Sequence, residues 1–117
     1  MIVGIGVDIT SHKRLENFLY DSRKIARILS EEEYACYLEF ESTKRKLEYL
    51  SSRFSVKESF IKAANSYKLK ANYSEISVLN NKDGSPYIKL AFTFNDKIHV
   101  SLSHNEEYSI SEVIIEK

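Results

Sequence analysis

The chain has 117 residues, of which 43% are hydrophobic and 29% charged, and its formal net charge is +0. These values fit one globular domain with its own core, so residues 1–117 are expected to fold as a single unit. Zero net charge gives no global field to recruit nucleic acid or a membrane surface, and no apolar run approaches the ~18 residues of a membrane-spanning helix.

A single cysteine, Cys36, rules out an intrachain disulfide and fits a reducing, cytoplasmic setting. It falls in a predicted helix and is expected to be a small buried side chain. The N-terminus lacks the basic region and apolar run of a signal peptide.

Residues Ile2 to Ile9 alternate as a strand. One face carries Val3, Ile5, Val7 and Ile9; the other carries Gly4, Gly6 and Asp8. Two glycines leave a bare floor with a carboxylate at its end. Glycine in a strand marks close approach of either a ligand or another backbone, and the residues alone leave both readings open. Thr10 or Ser11 is placed to cap a helix beginning near residue 12. Residues 12–29 hold Lys13, Arg14, Arg23, Lys24 and Arg27 against Glu16 and Asp21, with a break at Asp21-Ser22. This local excess of positive charge suits either a docking surface for an acidic partner or a solvated helix face.

Ser30-Glu31-Glu32-Glu33 is a capping-box pattern, which explains the acidic run through the helix dipole. Ser42-Thr43 loosens the helical pattern before Lys44-Arg45-Lys46, three adjacent cations able to meet phosphate or water. Arg53 to Ala64 contains no glycine or proline, and Val56, Phe60, Ala63 and Ala64 share one helical face that is expected to be buried. Glu58 and Lys62 lie one turn apart on another face, the spacing of an exposed ion pair.

From residue 73 the period changes to two. Ile76 and Val78 begin a strand, Asn80 to Pro86 is a turn cluster, and Tyr87 to Phe94 alternate as a second strand. Ile98 to His104 and Tyr108 to Ile115 form the last two. Helices in the middle and antiparallel hairpins late give an α+β fold. Asp8, Glu58 and His104 are separated in the chain but each stands where an element ends or turns outward. Two carboxylates without clustered cysteine or histidine suit a hard cation such as Mg²⁺, which takes one or two carboxylates together with phosphates and water.

At these residues the chain resembles the holo-[acyl-carrier-protein] synthases, the small group of 4'-phosphopantetheinyl transferases. The matching stretches are Ile2-Val-Gly-Ile-Gly-Val-Asp-Ile-Thr10 with Arg14, Arg53-Phe54-Ser-Val-Lys57-Glu58-Ser-Phe-Ile-Lys62-Ala63, Gly84-Ser-Pro86-Tyr87 and Val100-Ser-Leu-Ser-His104. Each motif is weak alone; in this order and spacing they are specific and span nearly the whole chain.

The resemblance implies a phosphopantetheinyl transferase-like fold and transfer of the phosphopantetheine arm of coenzyme A to a serine of acyl carrier protein, releasing 3',5'-ADP. It implies Asp8 and Glu58 as Mg²⁺ ligands, Glu58 as the base for the carrier serine, and Lys62 at the leaving phosphate. Arg53 and His104, with Lys44 or Arg45, become contacts to the nucleotide phosphates. Arg14, Arg23, Lys24 and Arg27 become the surface for the acidic carrier protein. It further implies a homotrimer with active sites between subunits.

Two departures stand out. The family usually has Ala-Ala-Lys-Glu-Ala where this chain has Ser55 to Ser59, and a glycine-containing turn where this chain has Ala64-Asn65-Ser66-Tyr67-Lys68-Leu69. A metal-dependent phosphodiesterase or nuclease is a second reading of the carboxylates and lysine. Glu58 and Lys62 lie four apart rather than two, and the charge is neutral, both against it. A non-catalytic coenzyme A or carrier-protein binding module is a third.

Overall fold

The computed structural model describes Met1 to Lys117 throughout. Its strands are β1 (Ile2–Ser11), β2 (Ile76–Asn80), β3 (Pro86–Leu90), β4 (Lys97–His104) and β5 (Tyr108–Glu116). Its α-helices are α1 (Ser22–Ile28), α2 (Glu31–Glu39) and α3 (Thr43–Ala63). One antiparallel sheet has the order β1-β5-β4, and β2 and β3 form a separate hairpin. The fold is α+β, as the late change of period implied.

The local rules predict most boundaries. Asp21 caps α1 by accepting from the Arg23 and Lys24 amides. Ser30 and Glu33 form the capping box of α2, and Ser42 caps α3 through the Arg45 amide. Thr10 and Ser11 do not cap: β1 runs through both, and a 3-10 helix (His12–Phe18) comes next without a side-chain cap. The second late strand is also shorter than its alternation. It stops at Leu90, and Phe92 and Phe94 pack under a bend. Cys36 is exposed on α2, contrary to the burial expected of it.

Helix α3 is the spine. Its first half packs with Leu15, Ile25, Ile28, Leu29 and Tyr37 in a core among the helices. Its second half presents Val56, Phe60, Ala63 and Ala64 to Ile76, Val78, Val113 and Ile115 of the sheets. Fully burying a side chain such as Phe60 contributes about 1.5–3 kcal/mol.

The seam between α3 and the three-stranded sheet is built from small residues. A methyl group at Gly4 would lie 1.8 Å from the Ala63 carbonyl oxygen, and one at Gly6 would lie 1.9 Å from that of Ser59. The bare floor of β1 is therefore covered by the α3 backbone, which decides between the two readings of these glycines. Ser55 and Ser59 complete the seam: their hydroxyls meet Ser111 Oγ at 2.8 and 2.7 Å. The chain's departure from alanine at these two positions thus has a partner waiting on β5.

The other face of β1 is bare. Ile5, Val7 and Ile9 are exposed, and so are Tyr108 and Ile110 beside them on β5. The period-two pattern is correct, but the apolar side is the outer one.

A buried polar cluster ties α1, α2, α3 and β2 together. Lys57 Nζ donates to Glu33 Oε1, to the Ile28 carbonyl and to the Tyr73 carbonyl, the last at 3.0 Å. Glu33 Oε2 accepts from the Val78 amide at 2.8 Å. Burial holds the Lys57 ammonium below the ordinary lysine value, opposed by the Glu33 carboxylate. Glu33 therefore does more than satisfy a helix end; it is half of an interior ion pair.

Candidate active site

The close seam sets the reach of the functional side chains. Because the glycines let α3 lie against β1, Lys62 Nζ comes 3.0 Å from the Val7 carbonyl oxygen and 3.7 Å from Asp8 Oδ1. The other Asp8 oxygen accepts from Thr10 Oγ1 at 2.5 Å. Asp8 is mostly buried, whereas more than half of the Lys62 side chain remains exposed. At this separation, and with the ammonium largely in solvent, the pair contributes little to stability, about 0–1 kcal/mol, so Lys62 is free to meet an incoming anion.

Glu58 is half-buried one turn before Lys62. The two do not form the ion pair that their spacing suggests. Glu58 Oε2 instead accepts from the Tyr73 hydroxyl at 3.1 Å, while Lys62 turns to β1. Tyr73 also reports how these groups gather. Its phenol is raised above the ordinary value by burial first and then by Glu58; Asp8 adds in the same direction and Arg14 opposes. Both carboxylates and one cation therefore act on one phenol.

Phe54 packs on Tyr73 with ring centroids 5.4 Å apart, and the Arg14 guanidinium lies 5.1 Å from the Phe54 centroid. Arg14 thus stands beside this cluster, apart from Arg23, Lys24 and Arg27, which are exposed on α1.

A second group of functional candidates meets around a cleft of about 230 Å³. Arg45, Arg53, Gly84, Pro86 and His104 line it, joined by Glu48 and Asn80. Four motifs distant in the chain converge here because α3, the β2–β3 turn and the end of β4 come together. His104 Nδ1 is 3.8 Å from Glu48 Oε2, which places a carboxylate at the edge of the imidazole.

Arg53 is 7% exposed. It donates to the Val78 carbonyl, Ser52 Oγ and Asn80 Oδ1, and its guanidinium lies 4.1 Å from the Tyr49 ring centroid. Much of its bonding is therefore committed within the fold, and it gives the cleft a fixed positive wall. Lys44 is exposed outside the cleft lining, and Lys46 is spent on the Tyr37 carbonyl.

No group of three or more acidic, histidine or cysteine side chains gathers to enclose a metal. Asp8 and Glu58 supply two hard oxygen donors, each with one oxygen engaged by a hydroxyl. That set fits Mg²⁺, which draws its remaining ligands from phosphates and water, and does not fit a closed structural site.

Residue-by-residue reading missed Tyr73 and the Lys57–Glu33 pair. Tyr73 lies beyond α3 in a short 3-10 helix, where periodicity carries no signal. The pair is separated by 24 positions and carries charges that normally stay in water.

Known proteins resemble this chain over nearly its whole length. A sequence model described as the 4'-phosphopantetheinyl transferase superfamily matches residues 4–113. A holo-[acyl-carrier-protein] synthase of a Geobacillus species is 39% identical over 119 aligned positions, covering 100% of this chain and 98% of that protein. The holo-[acyl-carrier-protein] synthase of Bacillus subtilis is 37% identical over the same shares. The crystal structure of a Bacillus anthracis holo-(acyl-carrier-protein) synthase, in complex with coenzyme A (3',5'-ADP), superposes with a TM-score of 0.87 at 30% identity. It covers 99% of this chain and 97% of that one.

Proposed function

This chain belongs to the 4'-phosphopantetheinyl transferase superfamily, and from that premise we propose that it transfers the 4'-phosphopantetheine group of coenzyme A to a serine of apo acyl carrier protein, giving the holo carrier and 3',5'-ADP. The observation that carries the reading is the meeting of the end of β1 with α3, which brings the Asp8 carboxylate within 3.7 Å of the Lys62 ammonium, beside Glu58.

The chemistry derives from the groups assembled. The carrier serine oxygen forms a bond to the phosphorus that bears pantetheine, and the bond from that phosphorus to the bridging oxygen of the pyrophosphate breaks. Glu58 takes the serine proton, directly or through water. Lys62, exposed and only loosely paired, meets the developing charge on the leaving phosphate. Asp8 and Glu58 would hold Mg²⁺, which supplies charge neutralisation and orientation of the pyrophosphate when bound. Arg45, Arg53 and His104 line a cleft whose charge suits the nucleotide phosphates, and Lys44 stands nearby on the first turn of α3.

The exposed apolar strip of Ile5, Val7, Ile9, Tyr108 and Ile110 supports association with further copies of this chain, in the homotrimer that the resemblance implies, since such a strip rarely stays in water. Active sites at the contacts would combine Asp8, Glu58 and Lys62 of one subunit with the phosphate-binding cleft of its neighbour. Arg14, Arg23, Lys24 and Arg27 would receive the acidic carrier protein. A cytoplasmic location suits both substrates, and no helix is long and apolar enough to cross a membrane.

The test is a mass measurement. Purified protein, coenzyme A and an apo carrier protein should add one phosphopantetheine to the carrier when Mg²⁺ is present, and none after chelation. No addition with several carrier proteins defeats the reading. Ile9→Arg should shift the mass by light scattering from three chains to one; an unchanged mass removes the proposed interface.

A further inference from the structure

We propose that Tyr73 is a positioning residue for Glu58, holding one carboxylate oxygen through its hydroxyl so that the other is presented to the divalent cation. This rests on the transferase reading above and names a part of that site which motif matching does not reach.

Three observations converge on Tyr73. Its hydroxyl donates to Glu58 Oε2 at 3.1 Å, and Glu58 Oε1 has no partner within the chain. Its ring packs on Phe54, which in turn sits beneath Arg14. Its carbonyl accepts from the buried Lys57 ammonium at 3.0 Å. The residue is thus pinned at the ring and at the backbone, and its remaining polar atom aims at the carboxylate. A side chain on a short 3-10 helix would otherwise be a poor support for a reacting group.

The physical role is orientation. A half-exposed glutamate has three rotatable torsions and several solvated rotamers, and a cation needs one of them. A hydroxyl donor fixes the carboxylate plane and leaves one oxygen free for coordination. Its supports reach the interior: Glu33 holds Lys57, Lys57 holds the Tyr73 backbone, and Tyr73 holds Glu58.

The variant Tyr73→Phe removes only the hydroxyl, keeping the ring contact and the Lys57 anchor. Hydrogen-bond partners of metal ligands are worth about 10–100-fold in metal affinity, and a half-exposed site falls near the lower end. Binding of Mn²⁺ in the presence of coenzyme A, read by electron paramagnetic resonance, is expected to weaken about tenfold. The turnover number should fall, with the KM for carrier protein and the melting temperature unchanged. Adding Mg²⁺ to the parent protein already holding coenzyme A should perturb the near-ultraviolet tyrosine absorbance, and Tyr73→Phe should abolish that change.

Mn²⁺ affinity and turnover within a factor of two of the parent would overturn the proposal, as would a tyrosine difference spectrum retained in Tyr73→Phe. If the parent protein itself transfers nothing, the transferase reading has failed instead. Transfer by the parent with an indifferent Tyr73→Phe refutes this inference alone.

Discussion

Substituting Gly6 by alanine tests the contact on which the active site depends. The added methyl would lie 1.9 Å from the Ser59 carbonyl oxygen and 2.8 Å from the Ala63 nitrogen. Both are backbone atoms of α3, so no flexible side chain can give way. Non-bonded carbon contacts settle at about 3.5 Å, so β1 and α3 must part by about 1.5 Å.

Overpacking costs about 1–3 kcal/mol, and a backbone clash belongs at the upper end. For a domain of this size about 3 kcal/mol corresponds to a fall of roughly 12 °C in melting temperature. The displacement falls two residues before Asp8 and three residues before Lys62. A misplacement of about 1 Å costs on the order of a hundredfold in rate. Thermal unfolding and steady-state transfer to apo carrier protein are the assays. Gly84→Ala is compared in melting alone, because Gly84 lines the cleft; no atom lies within 4 Å of the new methyl and only the backbone, at φ 90°, is strained. A Gly6→Ala protein melting within about 3 °C of the parent and turning over within twofold would refute the reasoning, given the rate cost of such a displacement.

Three other outcomes are expected. Lys57→Met leaves Glu33 charged in the interior and should destabilise the protein by about 3–5 kcal/mol in chemical denaturation, with Lys57→Met/Glu33→Leu recovering part of the loss. Arg23→Glu with Arg27→Glu should raise the KM for carrier protein and leave coenzyme A binding by calorimetry unchanged; Arg14 is left out because it stands beside Phe54 and Tyr73. Lys68→Gly should stabilise the chain by about 1 kcal/mol in thermal unfolding, because Lys68 holds a left-handed backbone at φ 54°.

The Lys68 conformation also explains how the chain manages the turn after α3 without a glycine. A 3-10 helix (Asn65–Tyr67) carries the chain out of the helix, and Tyr67 fixes it by bonding Asp96 and packing on Phe94. The strained conformation is retained because these contacts anchor the residue before it. The Tyr67 phenol is raised from 10.0 to about 12, first by its hydrogen bond to Asp96.

Local pattern was enough for whatever depends on neighbours in the chain. Asp21, Ser30 and Ser42 close helix ends through amides two or three residues away, so composition alone marks those boundaries. The buried face of α3 and the alternation of β4 and β5 arise from periods of 3.6 and two. Asp8, Glu58, Lys62 and His104 were named together only through motif order, since no local rule joins residues so far apart; the fold gathers the first three and puts His104 in the second cleft.

The tertiary structure alone decided which surface covers which. Period two says that Ile5, Val7 and Ile9 share a face but not whether that face meets the core; the glycines admit α3 on the opposite side and leave the apolar side outward. Spacing of four suggests a Glu58–Lys62 pair, yet a carboxylate and an ammonium choose the partners that packing brings near, and here these are Tyr73 and β1. Lys57 inside the protein obeys the same logic, because only the fold can assemble three oxygen acceptors around an ammonium removed from water.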